Sequence, residues 1–262
     1  MNSPICDISD INHVVYINLD SRPDRKLHVE RELTSIGILS ENITRFPAIE
    51  LTDGALGCSL SHLKCIRMAK EANWPHILLV EDDIRFIDIP KFKEQFSKLL
   101  KTIDRWDVVL LAGNNVGPYK IVSDCAVQIK ECQTTTGYLV KQEYYDTLIT
   151  NFENGIQNLM KYPNLRPLYA IDKYWFSLQT KDTWLMVYPL YGTQCISYSN
   201  IEQRSVNYDT LMLRLDKSIP PGNSMLNLVH TTQVNNIPAV TQKLNIPTTR
   251  PPIRMNMSIM RR

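Results

Sequence analysis

Nowhere in this 262-residue chain do about 18 apolar residues run together, so no transmembrane helix is expected. The stretch from Met1 to Asp10 carries neither a basic segment nor an apolar one. It shows no secretory signal and points to a cytoplasmic location. Excess charge is missing as well: 29 Lys and Arg stand against 27 Asp and Glu, a formal net charge of +2. That balance favours neither nucleic acid nor a membrane surface as the main partner. Cys6, Cys58, Cys65, Cys125, Cys132 and Cys195 form no CxxC pair and show no spacing typical of a zinc site, so free structural thiols are expected. Cys58 and Cys65 lie in a stretch of helical character at a spacing that puts both on one face and into the core. In a reducing compartment the sequons Asn42-Ile-Thr44 and Asn256-Met-Ser258 stay unused. No internal repeat or low-complexity tract is visible.

What is present is an ordinary globular composition, 44% hydrophobic and 21% charged, which suits one large α/β domain or two small ones. Strands are expected at His13–Leu19, Ile43–Ile49, Ile77–Val80 and Trp106–Ala112, with helices at Lys26–Ile36 (closed by Gly37), Ser59–Ala72 and Lys91–Ile103. Strand–helix alternation of this kind implies a mostly parallel central sheet with helices on both faces. After Gly113 the pattern becomes short, partly exposed strands at 119–122, 126–132 and 134–140. A helix from Gln142 to about Phe152, a helical segment at 172–179 and a strand at 184–188 follow. From Lys217 onward there are six basic residues, no acidic ones and six prolines. The expected organisation is therefore a lead over 1–11, a domain over 12–216 and a basic, proline-containing arm over 217–262. The arm has little structure of its own and packs on the domain, on a second subunit in a homodimer, or on nothing.

The most informative stretch is His76-Ile-Leu-Leu-Val-Glu-Asp-Asp-Ile-Arg-Phe86, an apolar run ending in Glu81, Asp82 and Asp83. A short, branched, continuous run fits a strand buried on both faces, and ligands of open α/β sheets bind at the carboxyl ends of such strands. Adjacent carboxylates repel, and a divalent cation such as Mg²⁺ or Mn²⁺ relieves the repulsion while bridging to substrate phosphates. A solvated acidic turn is the alternative these residues leave open.

Five motifs then occur in order: Val14-Val-Tyr-Ile-Asn-Leu-Asp20, Arg22-Pro-Asp-Arg25, Arg45-Phe-Pro-Ala48, Gly57-Cys-Ser-Leu-Ser-His62 and Val80 to Phe86. Together with Gly137-Tyr-Leu-Val140, Ala170-Ile-Asp172 and Ser197-Tyr-Ser-Asn-Ile201 the pattern resembles glycosyltransferase family 25 over roughly residues 12 to 210. That family includes lipooligosaccharide and procollagen galactosyltransferases. The resemblance implies a GT-A fold and a metal-dependent, inverting transfer of a hexose, usually galactose. The donor would be a UDP-sugar, and the acceptor a glycan or a collagen-like protein. The secretory and retention signals usual in collagen-type members are not seen, which puts a collagen acceptor in doubt.

On that resemblance, Glu81, Asp82 and Asp83 hold Mn²⁺ or Mg²⁺, and His230 is the one late histidine able to join them. Asn18, Leu19 and Asp20 end the first strand, where the nucleotide would lie. Arg22 and Arg25 reach its diphosphate through planar guanidinium forks, unless they form a surface salt-bridge face with Asp24 and Glu30. Ser59, Ser61 and His62, near a helix N-terminus, present backbone N–H groups to the donor, with serine capping as the competing role. Asn114 hydrogen-bonds sugar hydroxyls. Inversion needs a general base opposite the leaving group, and Asp172 is the candidate, with a plain N-cap as its alternative and Glu202 or Asp209 as substitutes. Trp175 floors a sugar or packs in the core. His13, His28 and His76 are structural. Two other classes stay open: a catalytically inactive binding or scaffold protein of the same fold, and a metal-dependent phosphoryl-transfer enzyme, for which a second spaced carboxylate pair is lacking.

Overall fold

The computed structural model describes residues 5–195, 197–199 and 204–217. In chain order the first half contains β1 (Val14–Asn18), α1 (Pro23–Ser35), β2 (Ile43–Pro47), α2 (Gly54–Glu71), β3 (His76–Glu81), β4 (Ile84–Phe86) and α3 (Ile89–Thr102). Next come β5 (Val108–Asn115), β6 (Tyr119–Ser123), β7 (Ala126–Ile129), β8 (Cys132–Lys141) and α4 (Tyr145–Lys161). Three short helices follow, α5 (Arg166–Tyr169), α6 (Ile171–Tyr174) and α7 (Phe176–Lys181). The described elements end with β9 (Trp184–Val187), β10 (Gly192–Gln194), β11 (Ser197–Ser199), β12 (Arg204–Val206) and α8 (Asp209–Met212).

The apolar runs have no polar face, and they make the centre of a single eight-stranded sheet in the order β2-β1-β3-β8-β5-β9-β7-β6. β1 pairs in parallel with β2 and β3, and β5 pairs in parallel with β9. β8 runs antiparallel between β3 and β5, and β7 is antiparallel to both β9 and β6. All strands of this sheet but β8 and β7 thus point one way, which is the mostly parallel sheet expected. Period two assigns the faces. Val15, Ile17, Ile77, Leu79, Val108 and Leu110 pack with Leu63 and Ile66 of α2 and Leu148 and Phe152 of α4. The alternate residues Val14, Tyr16, Leu78, Val80, Val109 and Leu111 pack with Val29 and Leu33 of α1 and Phe92 and Phe96 of α3. Burying one such side chain fully is worth about 1.5–3 kcal/mol, and helices cover both faces as in the expected α/β, GT-A-type architecture.

Several expected boundaries move. α1 starts at Pro23, a residue preorganised for the first helical position, and ends before Gly37, whose φ of +101° suits glycine. α2 starts at Gly54 because the Asp53 carboxylate accepts the N–H groups of Ala55 and Leu56. β8 is not a short, partly exposed strand: it spans ten residues, and its central stretch is buried because it lies between β3 and β5. Residues 5–11 pack into the domain, with Ile8 and Ile11 buried beside α3 and the sheet. His230, Glu202, Asn256 and the arm beyond Lys217 lie outside the described residues.

Candidate active site

A cavity of about 780 Å³ opens where the carboxyl ends of β1, β3 and β5 meet the start of the opposed strand β8. Leu19, Arg22, Arg25, Glu81, Asp82, Asp83, Asn114 and Asp172 all line it, so most of the sequence candidates do converge.

The three carboxylates are divided between two environments. Arg25 Nη1 lies 3.0 Å from Asp82 Oδ1 and 3.2 Å from Asp83 Oδ2, bridging the pair. Glu81 turns instead towards α2 and β8. Its Oε1 accepts from Thr135 Oγ1 at 2.6 Å and lies 3.4 Å from His62 Nε2 and 3.7 Å from Cys58 Sγ, while Gln194 Nε2 donates to Oε2 at 3.3 Å. The expected convergence of all three acids on one point is therefore absent from this arrangement. The physical reason is the competition of Arg25 for one pair and of the Cys58, His62 and Thr135 groups for the third.

Electrostatics separate them further. Burial raises Asp82, and the Arg25 charge and the Asn18 and Arg25 hydrogen bonds only partly oppose it. Burial and the neighbouring Glu81 charge push the Asp83 carboxyl up to about 7, against the pull of Arg25. Burial acts on Glu81 in the same sense, but the His62, Thr135 and Cys58 hydrogen bonds outweigh it and hold this carboxyl below its ordinary range. Asp83 Oδ1 is buried and has no hydrogen-bond partner among the described residues. An orphaned buried carboxylate oxygen of this kind is what a cation would satisfy, so Asp83, with Asp82 beside it, fits a hard divalent ion.

Asn18 proves to be internal scaffolding. Its Nδ2 donates to Asp82 Oδ2 at 2.7 Å and to the Arg22 carbonyl at 3.0 Å, and its Oδ1 accepts from Arg45 Nε at 2.9 Å. With its polar groups used, it orients Asp82 and the first loop rather than a nucleotide. Asp20 is exposed and pairs with Arg45 at 2.5 Å, away from the cavity lining. Arg22 pairs with Asp24 at 2.8 Å, as the salt-bridge alternative foresaw, yet it also lines the cavity. Arg25 bonds the acidic turn and not Glu30, which instead accepts from Tyr16 Oη at 2.5 Å.

Because α2 begins at Gly54, Ser59 and Ser61 do not present helix N-terminal N–H groups. Both are buried inside the helix, and their hydroxyls donate to the carbonyls of Ala55 and Gly57, each at 2.8 Å. Ser61 Oγ also accepts the Ile49 N–H at 2.9 Å, which ties down the loop after β2. His62 is fully buried, with Nδ1 2.8 Å from Tyr138 Oη. Cys58 packs half-buried against the core cluster that holds Cys65, and its Sγ also meets Glu81 at the cavity.

Asn114 lines the cavity with Oδ1 buried and unpartnered among the described residues. Asp172 does not cap its helix: the N-cap of α6 is Ala170, with no side-chain bond. Its Oδ2 accepts the Thr134 N–H at 3.2 Å, and burial raises its carboxyl, which Thr134 and Lys173 only partly offset. Thr134 sits at φ +69°, a conformation costing a β-branched residue about 1–3 kcal/mol and often found at functional sites. Trp175 is core: its Nε1 donates to the Cys132 carbonyl at 2.9 Å and its ring packs edge-on against Tyr138 and Trp184. Asp209 is held by Arg85 at 2.6 Å and by Thr193 Oγ1 at 3.0 Å, so it is no substitute base. His13 stacks on Trp74, His28 meets the Ile84 carbonyl at 2.8 Å and His76 meets the Asn12 N–H, all structural roles.

Sequence reading missed Gln133, Thr134, Thr135, Arg166 and Gln194, which also line the cavity. The β8 residues carry no local signal, since only antiparallel pairing brings the start of that strand to the carboxyl edge. Arg166 lies close to Asp172 in sequence, and a cation so near a candidate base was the one available hint.

A model described as glycosyltransferase family 25 (LPS biosynthesis protein) matches residues 40–173, just over half of the chain. The chain belongs to glycosyltransferase family 25. The matched span includes α2, the acidic turn and Asp172, while the Arg22–Arg25 loop precedes it. A glycosyltransferase 25 family member of Aedes aegypti is 22% identical over 217 residues, covering 68% of this chain and 33% of that protein. One of Drosophila melanogaster is 24% identical over 213 residues, with coverages of 68% and 33%. The chain thus spans about a third of the length of these family 25 relatives. Among solved structures, a glycosyltransferase involved in glycosylation of the major capsid of PBCV-1 aligns at 12% identity with a TM-score of 0.37. That alignment covers 67% of this chain and 92% of the other. No helix among the described residues is long and apolar enough to cross a membrane.

Proposed function

We propose that this chain transfers a hexose, galactose by family resemblance, from a UDP-sugar to a hydroxyl of a glycan or of hydroxylysine in a collagen-like protein, with inversion. The observation that carries the reading is the shared cavity, which brings the Asp82–Asp83 pair and Arg25 together with the separately placed carboxylate of Asp172. Asp82 and Asp83 would hold Mn²⁺ or Mg²⁺, which would supply Lewis-acid stabilisation of the charge that develops on the departing diphosphate. Asn18 keeps Asp82 oriented for that role. Arg25 balances both carboxylates until the donor arrives, then turns its guanidinium to the phosphate oxygens, for which its planar fork is suited. Asn114 Oδ1, buried without a partner among the described residues, accepts from a sugar hydroxyl. Asp172, raised by burial, removes the proton of the attacking acceptor hydroxyl.

The test is UDP release by the full chain across a panel of UDP-sugars, with glycan and hydroxylysine-peptide acceptors. Chelation should abolish release and Mn²⁺ should restore it. Asp172→Asn should lower turnover by about 10²–10⁴-fold while UDP-sugar binding persists, the usual contribution of a general base. Retention of more than about a tenth of turnover would remove Asp172 from that role.

A further inference from the structure

We propose that Cys58, His62 and Glu81 form a binding site for a borderline-soft divalent cation of the Zn²⁺ class, distinct from the Asp82–Asp83 pair. Cys58 and His62 sit one turn apart on α2, and Glu81 is delivered by the end of β3. One ligand atom from each lies within 4.8 Å of the others, the only such group of three His, Cys, Asp or Glu among the described residues. Bond lengths of about 2.0–2.3 Å to zinc place tetrahedral ligand atoms about 3.3–3.7 Å apart. Glu81 Oε1 already stands 3.4 Å from His62 Nε2 and 3.7 Å from Cys58 Sγ, so two of the three edges need little adjustment.

The surroundings are those of a built site. Tyr138 Oη meets His62 Nδ1 at 2.8 Å, which fixes the ring and can set the tautomer that turns the Nε2 lone pair towards Glu81 and Cys58. Thr135 and Gln194 hold the two oxygens of Glu81. All three ligands also line the cavity, so water or a substrate oxygen can supply the fourth position, as in open zinc sites. On binding, the Cys58 thiol gives its proton to solvent. The thiolate and the carboxylate then match the double charge of the ion within a buried setting. A thiolate–imidazole set discriminates against Mg²⁺ and Mn²⁺, which prefer oxygen ligands, so the neighbouring carboxylate pair and this site sort cations by softness. Local spacing alone conceals the site because its third ligand comes from another element.

The metal-free, reduced full chain should be titrated with Zn²⁺ against a chromophoric chelator, and with Co²⁺ to read the thiolate-to-cobalt charge-transfer band. The expected result is one tightly held equivalent and a thiolate band in the wild type. Cys58→Ser should abolish the band and weaken Zn²⁺ binding beyond the roughly 10–100-fold loss typical of an outer-shell change; Tyr138→Phe should fall within that range. Circular dichroism checks that each variant is folded. If His62→Ala fails to fold, Cys58→Ser and Glu81→Gln carry the test. No stoichiometric uptake at micromolar Zn²⁺, or an undiminished thiolate band in folded Cys58→Ser, would overturn the proposal. Neither readout depends on transferase activity.

Discussion

His76 is a side chain whose charge state the fold decides. Its Nε2 lies 3.3 Å from the Asn12 N–H as acceptor, and its ring stands 5.6 Å from that of His13. Burial, reinforced by His13, lowers its pKa to about 4, whereas an unfolded histidine titrates near about 6.5. Because the folded value is the lower one, the native state excludes the proton. The resulting stability is complete above about pH 6.5 and is lost as pH falls through about 4, a contribution on the order of 1–3 kcal/mol. His76→Gln keeps an acceptor for Asn12 without a titrating ring. Denaturant unfolding should therefore show a steeper acid loss in the wild type than in this variant between pH 6.5 and 4; parallel curves would refute it. Other single residues were legible to different degrees. The acidic turn announced itself because three carboxylates end an apolar run. Asn18 and Trp175 could be placed but not assigned, since whether a polar atom faces a ligand or another buried group is a tertiary fact.

Among elements, α2 shows how one cap decides a site. Asp53 starts the helix well before the serines, which moves Ser59 and Ser61 from the N-terminus to the interior. Asp followed by a Gly-Ala-Leu run is a legitimate start signal, which the expected start at Ser59 left unused. Gly57 then permits a close crossing: a Cβ there would stand 2.4 Å from the Ile49 carbonyl oxygen. The loop it touches supplies Ala48, Ile49, Leu51 and Thr52 to the cavity. Gly57→Ala should cost about 1–3 kcal/mol, the usual range for overpacking, and should also weaken UDP binding by displacing that loop. Thermal melting with calorimetric UDP titration checks both, and wild-type values in the variant would show that the crossing has slack. The order of the early elements could be read from periodicity. The central position of β8 could not, because an antiparallel insertion leaves no local trace.

At the scale of the whole molecule, the α/β class and the family were readable because many short motifs preserve their order. The division of Glu81 from Asp82 and Asp83 was not, since it depends on Arg25, Cys58 and Thr135 arriving from three other elements. The far end of the described chain belongs to the core. Met212 is buried, Asp209 holds Arg85, and Asn115 Nδ2 donates to the Leu215 carbonyl at 3.2 Å. A chain ended after Asn207 should melt lower than one ended after Pro221. Losing about 2 kcal/mol at this size would lower the midpoint by about 4–8 °C. Equal melting of the two shortened chains would deny α8 a stabilising part. The sheet order also has a temporal side. β8 joins β3 to β5 but follows both in the chain, so a growing polypeptide presents two unpaired apolar strand edges before their common partner exists. Closure waits for residue 141, and until then those edges are open to pairing with another chain.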